Sequence, residues 1–379
     1  MALRSAYSEL VREHCSRPEY ERSPTMSLHV VVGAGPVGSA TAHLLAAQGE
    51  QVRLVTRSGR GPQPLPAPTA GGPGGPTGAA AAGAGAPDAA GAAGAGASGA
   101  GVGVGGVGGE GRIECVAGDA SDGERLAEVA KGAVGLYSCA GPAYHRWATD
   151  WPPLGAALVR AAEETGAVLV TTGNLYGYGE ADGPMTEGMP LRPNSVKGEV
   201  RTKLWTDALA AHEAGRIRTA EVRGSDYLGA HTVSPFSVMV LPKVIEGRRG
   251  TAPADLDAPH SWTYVGDVAR TLVAVAADEK AWGRAWHVPT PPPQSIRELA
   301  THAAELAGAP TARVAKMPGF ALRLAGLFNP AARAMVETQY QWQRPFVIDS
   351  TAATVAFGIN PTPTTQALQE TINTLRTPA

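Results

Sequence analysis

Runs of apolar residues alternate with helical patterns along most of this chain. Residues 28–32 (LHVVV) form a short unbroken apolar run, the signature of a buried strand. A helical pattern follows over 37–48, then a strand at 51–56. After an interruption the alternation resumes: strand 112–117, helix 123–131, strand 133–139, helix 153–165, strand 167–172, helix 193–214 and strand 218–223. Strands that alternate with helices in this way predict a parallel, doubly wound sheet covered on both faces. Beyond about residue 230 the pattern is mixed and proline-rich, with helices expected at 295–307 and 318–327. The expected organisation is an α/β Rossmann domain over 26–230, to which 262–290 returns, and a smaller C-terminal substrate lobe from 231–261 and 291–379. Residues 1–25 are expected to be a loose N-terminal extension.

Composition changes the picture at one place. The chain has 379 residues and 48 glycines, and 20 of these lie between Gly59 and Arg112. That segment has no aromatic residue, and its only charges are Arg60, Asp88, Glu110 and Arg112. It buries too little apolar area to offset the entropy of ordering it, so 59–112 reads as a disordered Gly/Ala-rich insert. Glycine and proline throughout argue against a membrane span.

The net charge of −2 supplies no general attraction to nucleic acid or to anionic lipid. The cysteines, Cys15, Cys115 and Cys139, fit neither a disulfide framework nor a metal site, so a cytoplasmic location is expected. The expected partner is a small-molecule substrate, with no nucleic acid, membrane or metal, and a homodimer is an open expectation.

Gly33-Ala34-Gly35-Pro36-Val37-Gly38 fits G-x-G-x-x-G directly after an apolar strand and at the start of a helix. In that context Gly33 makes the tight turn and Gly35 admits a pyrophosphate. Gly38 lets helix and strand pack closely, and the helix N-terminus faces the phosphates. The second strand ends in Thr56-Arg57-Ser58, without the carboxylate that accepts hydrogen bonds from an adenosine ribose. Arg57 would attract a 2′-phosphate, so NADP is expected over NAD. Asp119 either faces the adenine or caps a helix starting near Ser121.

In order and spacing these residues resemble the extended short-chain dehydrogenase/reductase superfamily, the NAD-dependent epimerase/dehydratase group. The resemblance also rests on Gly118-Asp119, Ala140-Gly141, Thr171-Thr172 with Tyr176-Gly177, and 262–269. It implies an NAD(P)-dependent oxidoreductase or epimerase-like enzyme acting on the hydroxyl or carbonyl of a small organic substrate. It further implies a catalytic Ser or Thr, met by Thr172, and a Tyr and a Lys one helical turn apart. Here the sequence departs: Lys197 falls at the Tyr position and Arg201 at the Lys position.

Lys197 and Arg201 are neighbours on one helix face. Crowding by Arg201 would draw Lys197 toward neutrality and make it a general base, with Arg201 holding the ribose. The alternative is a solvated helix face or a phosphate clamp. Tyr178 is a candidate for lining the pocket or supplying the missing phenol. His145, Asp226 and His260 are lesser candidates. Two rival readings stand: a non-catalytic NADP(H)-binding regulator of NmrA-like type, and a sugar-nucleotide epimerase/dehydratase.

Overall fold

A computed structural model describes residues 26–64 and 111–376. The expectations for residues 1–25 and for most of the glycine-rich insert lie outside the described residues. The strands are β1 (Leu28–Val32), β2 (Gln51–Thr56), β3 (Arg112–Ala117), β4 (Ala133–Ser138), β5 (Val168–Asn174) and β6 (Arg218–Gly224). Then come β7 (Asp226–Leu228), β8 (Gly250–Ala252), β9 (Trp262–Tyr264), β10 (Ala285–His287) and β11 (Val314–Lys316). Seven of them form one parallel sheet in the order β3-β2-β1-β4-β5-β6-β10. The order reverses between β1 and β4, and in open sheets the crevice at the carboxyl ends of such strands takes the ligand.

The continuous apolar run of β1 follows from burial on both faces. Val30 and Val32 enter one core with Leu126, Trp151 and Leu158, whereas Val31 enters the other with Leu45, Val268 and Leu272. Alternation along the strand sends successive side chains to opposite faces. Helices Gly123–Ala130, Trp147–Thr165 and Val196–Glu213 cover the first face, and Pro36–Ala47 and Val265–Ala277 the second.

A separate core joins Phe236, Val240, Trp262, Leu299, Leu368 and Ile372 beyond the sheet. It is tied to the seven-stranded sheet by β7, which leaves β6 after one residue and pairs with β9. Three-residue strands of this kind carry too little pattern to be read from sequence.

Two boundaries differ from expectation. The helix expected at Pro153 begins at Trp147 and contains Pro152 and Pro153. Two missing N–H groups cost backbone bonds in its second turn, and the buried Trp147 and Trp151 offset that cost. At the insert, residues 59–64 and 111 are described: Gly59 and Gly61 lie against Ala117 and Cys115 of β3, and Gln63 and Gly111 rest on helix Pro36–Ala47. The Gln63 N–H donates to Ser39 Oγ at 2.9 Å, and a Cβ on Gly111 would run into the Ala46 carbonyl.

Candidate active site

The glycine turn is built by close backbone approach. Gly33 has φ +101°, and a Cβ there would lie 2.7 Å from Ala140 Cα. At Gly38 a Cβ would strike the Gly33 carbonyl oxygen. Gly35 differs: no described residue lies within 4 Å of the place its Cβ would take, so the bare backbone faces open space. Helix Pro36–Ala47 starts there with no side-chain cap. Its first N–H groups therefore remain available to an anion.

That turn opens into a cleft of about 820 Å³. Arg57 and Asp119 line one end, Ala140 and Gly141 the middle, and Thr172, Arg201, Tyr176 and Asp226 the other end. The glycine turn, Arg57, Asp119, Thr172 and Arg201 are thus brought to one cavity. Asp119 accepts from the Ser121 N–H at 3.0 Å and from its hydroxyl at 2.8 Å. These bonds, with help from Arg57, hold the carboxyl below its usual range. Asp119 does not cap the helix; Asp122 does, accepting from the Arg125 N–H.

Thr172 Oγ1 points to Cys139, with Sγ at 3.7 Å. Burial pushes the Cys139 thiol up to about 11, so it stays protonated. The Thr172 carbonyl accepts from Arg201 Nη1 at 3.1 Å. The Arg201 guanidinium lies 4.2 Å from the Trp151 ring centroid and 4.7 Å from that of Trp147. Burial lowers its pKa below the ordinary arginine value, and its Nε has no partner among the described residues.

Lys197 lies elsewhere. It is buried, absent from the cleft lining, ion-paired to Glu337, and donates to the Ala334 carbonyl at 3.0 Å. The like-charge crowding expected from its spacing to Arg201 is therefore not its environment. A carboxylate answers the lysine, and aromatic faces receive the arginine. Tyr178 also departs from expectation. It is buried away from the cleft, accepts from Arg223 Nη1 at 2.7 Å and bonds to His287 Nε2 at 2.8 Å. It belongs to a buried polar cluster with Glu221, so it neither lines the pocket nor offers a phenol there.

The phenols in the cleft are others. Tyr144, after β4, donates to the Tyr176 hydroxyl at 3.2 Å and bonds to Thr338 Oγ1 at 2.8 Å. Gln341 Nε2 also donates to the Tyr176 oxygen, at 3.3 Å. Tyr176 thus accepts twice, and its own proton is left for a ligand. Burial pushes Tyr144 up to about 12 and Tyr176 well above the ordinary tyrosine value. Lys197 Nζ sits 4.4 Å from the Tyr144 ring centroid. Beside them Asp226 Oδ2 lies 2.8 Å from His260 Nε2, and His260 stacks on Trp342 at 4.3 Å. The sequence marks Tyr176 through the family resemblance and Asp226 and His260 as lesser candidates; for Tyr144 the signal is an aromatic residue just past a parallel strand, where active-site loops gather. Among the described residues no cluster of histidine, cysteine or carboxylate side chains could hold a metal ion.

Known proteins bear on this geometry. MoeE5, in complex with UDP-glucose and NAD, superposes with a TM-score of 0.64 at 19% identity, covering 92% of this chain and 98% of its own. The UDP-glucuronic acid 4-epimerase of Bacillus cereus gives 0.64 at 14% identity over 93% and 99%. The UDP-glucose 4-epimerase of Thermotoga maritima gives 0.65 at 14% over 93% and 99%. At such identities the likeness shows the fold. No curated protein matches by sequence. The pattern of the NAD-dependent epimerase/dehydratase family matches residues 29–288, more than half of the chain. With the glycine turn opening into a cleft at the sheet's switch point, the chain belongs to the NAD-dependent epimerase/dehydratase family.

Proposed function

We propose that the chain is an NAD(P)-dependent oxidoreductase or epimerase-like enzyme that acts on the hydroxyl or carbonyl of a small organic substrate. The observation that carries this reading is the continuous cleft joining the glycine turn to Thr172 and Tyr176. A dinucleotide fits the turn, because the open space at Gly35 is the close approach a pyrophosphate needs. When bound, the nicotinamide supplies the hydride donor or acceptor. The N–H groups of Val37 and Gly38 would hold the pyrophosphate, with Pro36 fixing the helix start. Ala140 and Gly141 border its path, and Asp119 and Arg57 lie toward the adenosine. The finer proposal is NADP over NAD. Its support is Arg57 at the end of β2, where a ribose-binding carboxylate is missing.

The proton is handled by this chain's own groups. Tyr176, buried and protonated, donates its free O–H to the reacting carbonyl oxygen. Tyr144 stands ready to return a proton to it, and Thr338 to Tyr144. Thr172 offers its hydroxyl to the same oxygen on turning from Cys139. Arg201 fixes the end of β5 through the Thr172 carbonyl and lends positive charge beside the ribose site. Lys197 has a supporting role, because its ammonium is paired with Glu337 and lies over the Tyr144 ring, outside the cleft lining. That seclusion also favours the second reading, a non-catalytic NADP(H)-binding regulator of NmrA-like type. Sugar nucleotides enter as a substrate class through the UDP-sugar complexes of the structural neighbours.

One experiment separates the readings. NADPH and NADH are titrated by fluorescence, and the nicotinamide absorbance is then followed with aldehydes, ketones and sugar nucleotides. Turnover of at least one carbonyl with micromolar dinucleotide binding is expected. Tight binding with no turnover across the panel supports the regulator instead.

A further inference from the structure

The helix Gly319–Phe328 has two opposite faces. At 100° per residue, Leu322 and Gly326 share one face. Both are buried, and Gly326 lies so close to helix Pro330–Val336 that a Cβ would sit 3.0 Å from Arg333 Cα. Phe320, Leu324, Leu327 and Phe328 occupy the other face and are 72%, 56%, 64% and 85% exposed. Four large apolar side chains within about two and a half turns of solvent-facing helix are not a scatter of lone surface residues. They form a patch that needs an occupant.

The charge around this patch indicates which occupant. Residues 313–336 contain Arg313, Lys316, Arg323 and Arg333 and no Asp or Glu, in a chain whose net charge is −2. The four cations are exposed. Among the described residues Arg313 and Arg333 hydrogen-bond only to the carbonyls of Gly247 and Gly326, so no described carboxylate neutralises them. Lys316 and Arg323 form no ion pair with a described residue, and Arg323 flanks the apolar arc. An apolar helical face bordered by cations matches the interface of an anionic bilayer, where the ring faces enter the acyl boundary and the cations meet headgroup phosphates. The helix is too short to span, and among the described residues no helix is long and apolar enough to cross a membrane.

We infer that Gly319–Phe328 docks the protein peripherally on an anionic lipid surface. The docking helix packs on Pro330–Val336, which in turn packs on the turn Tyr144–Arg146 that lines the cleft. The membrane face is therefore the side of the molecule next to the substrate end of the cleft.

Flotation of the full chain with vesicles tests this. One set is phosphatidylcholine alone and the other contains one third phosphatidylglycerol. Wild type is expected to float with the anionic vesicles at least tenfold more than with the neutral ones, and raised salt should reduce the difference. Arg323→Glu should weaken binding about fivefold or more. F320S/F328S should abolish it while leaving dinucleotide binding and thermal stability unchanged, because both side chains are exposed. Two results overturn the inference: no association with anionic vesicles, or a wild-type dimer that F320S/F328S converts to monomer. The second would give the face to another copy of this chain.

Discussion

Tyr144 donates its phenolic proton to the Tyr176 hydroxyl at 3.2 Å, and Gln341 fills the second acceptor position of the same oxygen. Tyr176 therefore holds a hydroxyl hydrogen with no acceptor among the described residues, at the wall of the cleft. Tyr176→Phe removes that donor and, because the Tyr144 O–H and the Gln341 amide then lose their acceptor, also costs about 1–3 kcal/mol of stability. It should lower turnover by about 10²–10⁴-fold, as loss of a positioned acid does, with dinucleotide affinity within twofold of wild type. Steady-state kinetics and fluorescence titration give the two numbers.

Tyr178, two residues away, should behave in the opposite manner. Its hydroxyl meets Arg223 and His287 in the interior. Tyr178→Phe leaves buried polar groups without a partner, a loss of about 1–3 kcal/mol. Urea unfolding should show that loss, and any remaining enzyme should keep near-normal kcat.

The glycine turn gives a paired prediction. Open space at Gly35 means that Gly35→Ala should fold with an unchanged melting temperature and yet lose at least tenfold in dinucleotide affinity. Gly38→Ala should instead lower stability by several kcal/mol, since its Cβ would strike the Gly33 carbonyl. Calorimetric melting and dinucleotide titration of both variants check this. Equal dinucleotide affinity in Gly35→Ala and wild type would place the cofactor elsewhere.

Arg57→Asp tests the cofactor preference. It should weaken NADPH at least tenfold more than NADH, the scale of one charge-assisted phosphate contact. Equal weakening would mean that Arg57 does not read the phosphate.

Alkaline pH has a defined sign. Folding raises Cys139 from 9.0 to about 11 and Tyr144 from 10.0 to about 12. Below pH 9 folded and unfolded chains hold both protons, and these groups make stability independent of pH. Above it the unfolded chain releases protons that the folded chain keeps, so stability falls as pH rises through about 9 to 12. Urea midpoints at stepped pH should decline from near pH 9. Absorbance of the tyrosinate band should lag behind that of the unfolded chain.

The glycine turn and the first six strands were legible because each is encoded by adjacent residues. Strand β1 announces burial on both faces by its own composition, and Gly33, Gly35 and Gly38 occupy one turn. The end of the cleft that holds Thr172, Tyr176 and Arg201 was not legible in the same way. Lys197 was identified by its place on the helix, but its carboxylate partner Glu337 lies 140 residues further along the chain. Helical spacing to Arg201 suggested repulsion, and no local pattern could show that Trp147 and Trp151 stack on the arginine instead. Tyr144 and Tyr176 come from loops after different strands, and only the parallel pairing of β4 with β5 brings them together.

The most direct test asks which residue carries the proton. Single-turnover reduction of a carbonyl substrate by bound NADPH is followed at the nicotinamide band in wild type, Tyr176→Phe and Lys197→Met. The expected result is a rate at least 100-fold lower in Tyr176→Phe and within tenfold of wild type in Lys197→Met, whose cost should appear in stability. A full rate in Tyr176→Phe, with loss of turnover in a folded, dinucleotide-binding Lys197→Met, would contradict it and return the proton to the helix lysine.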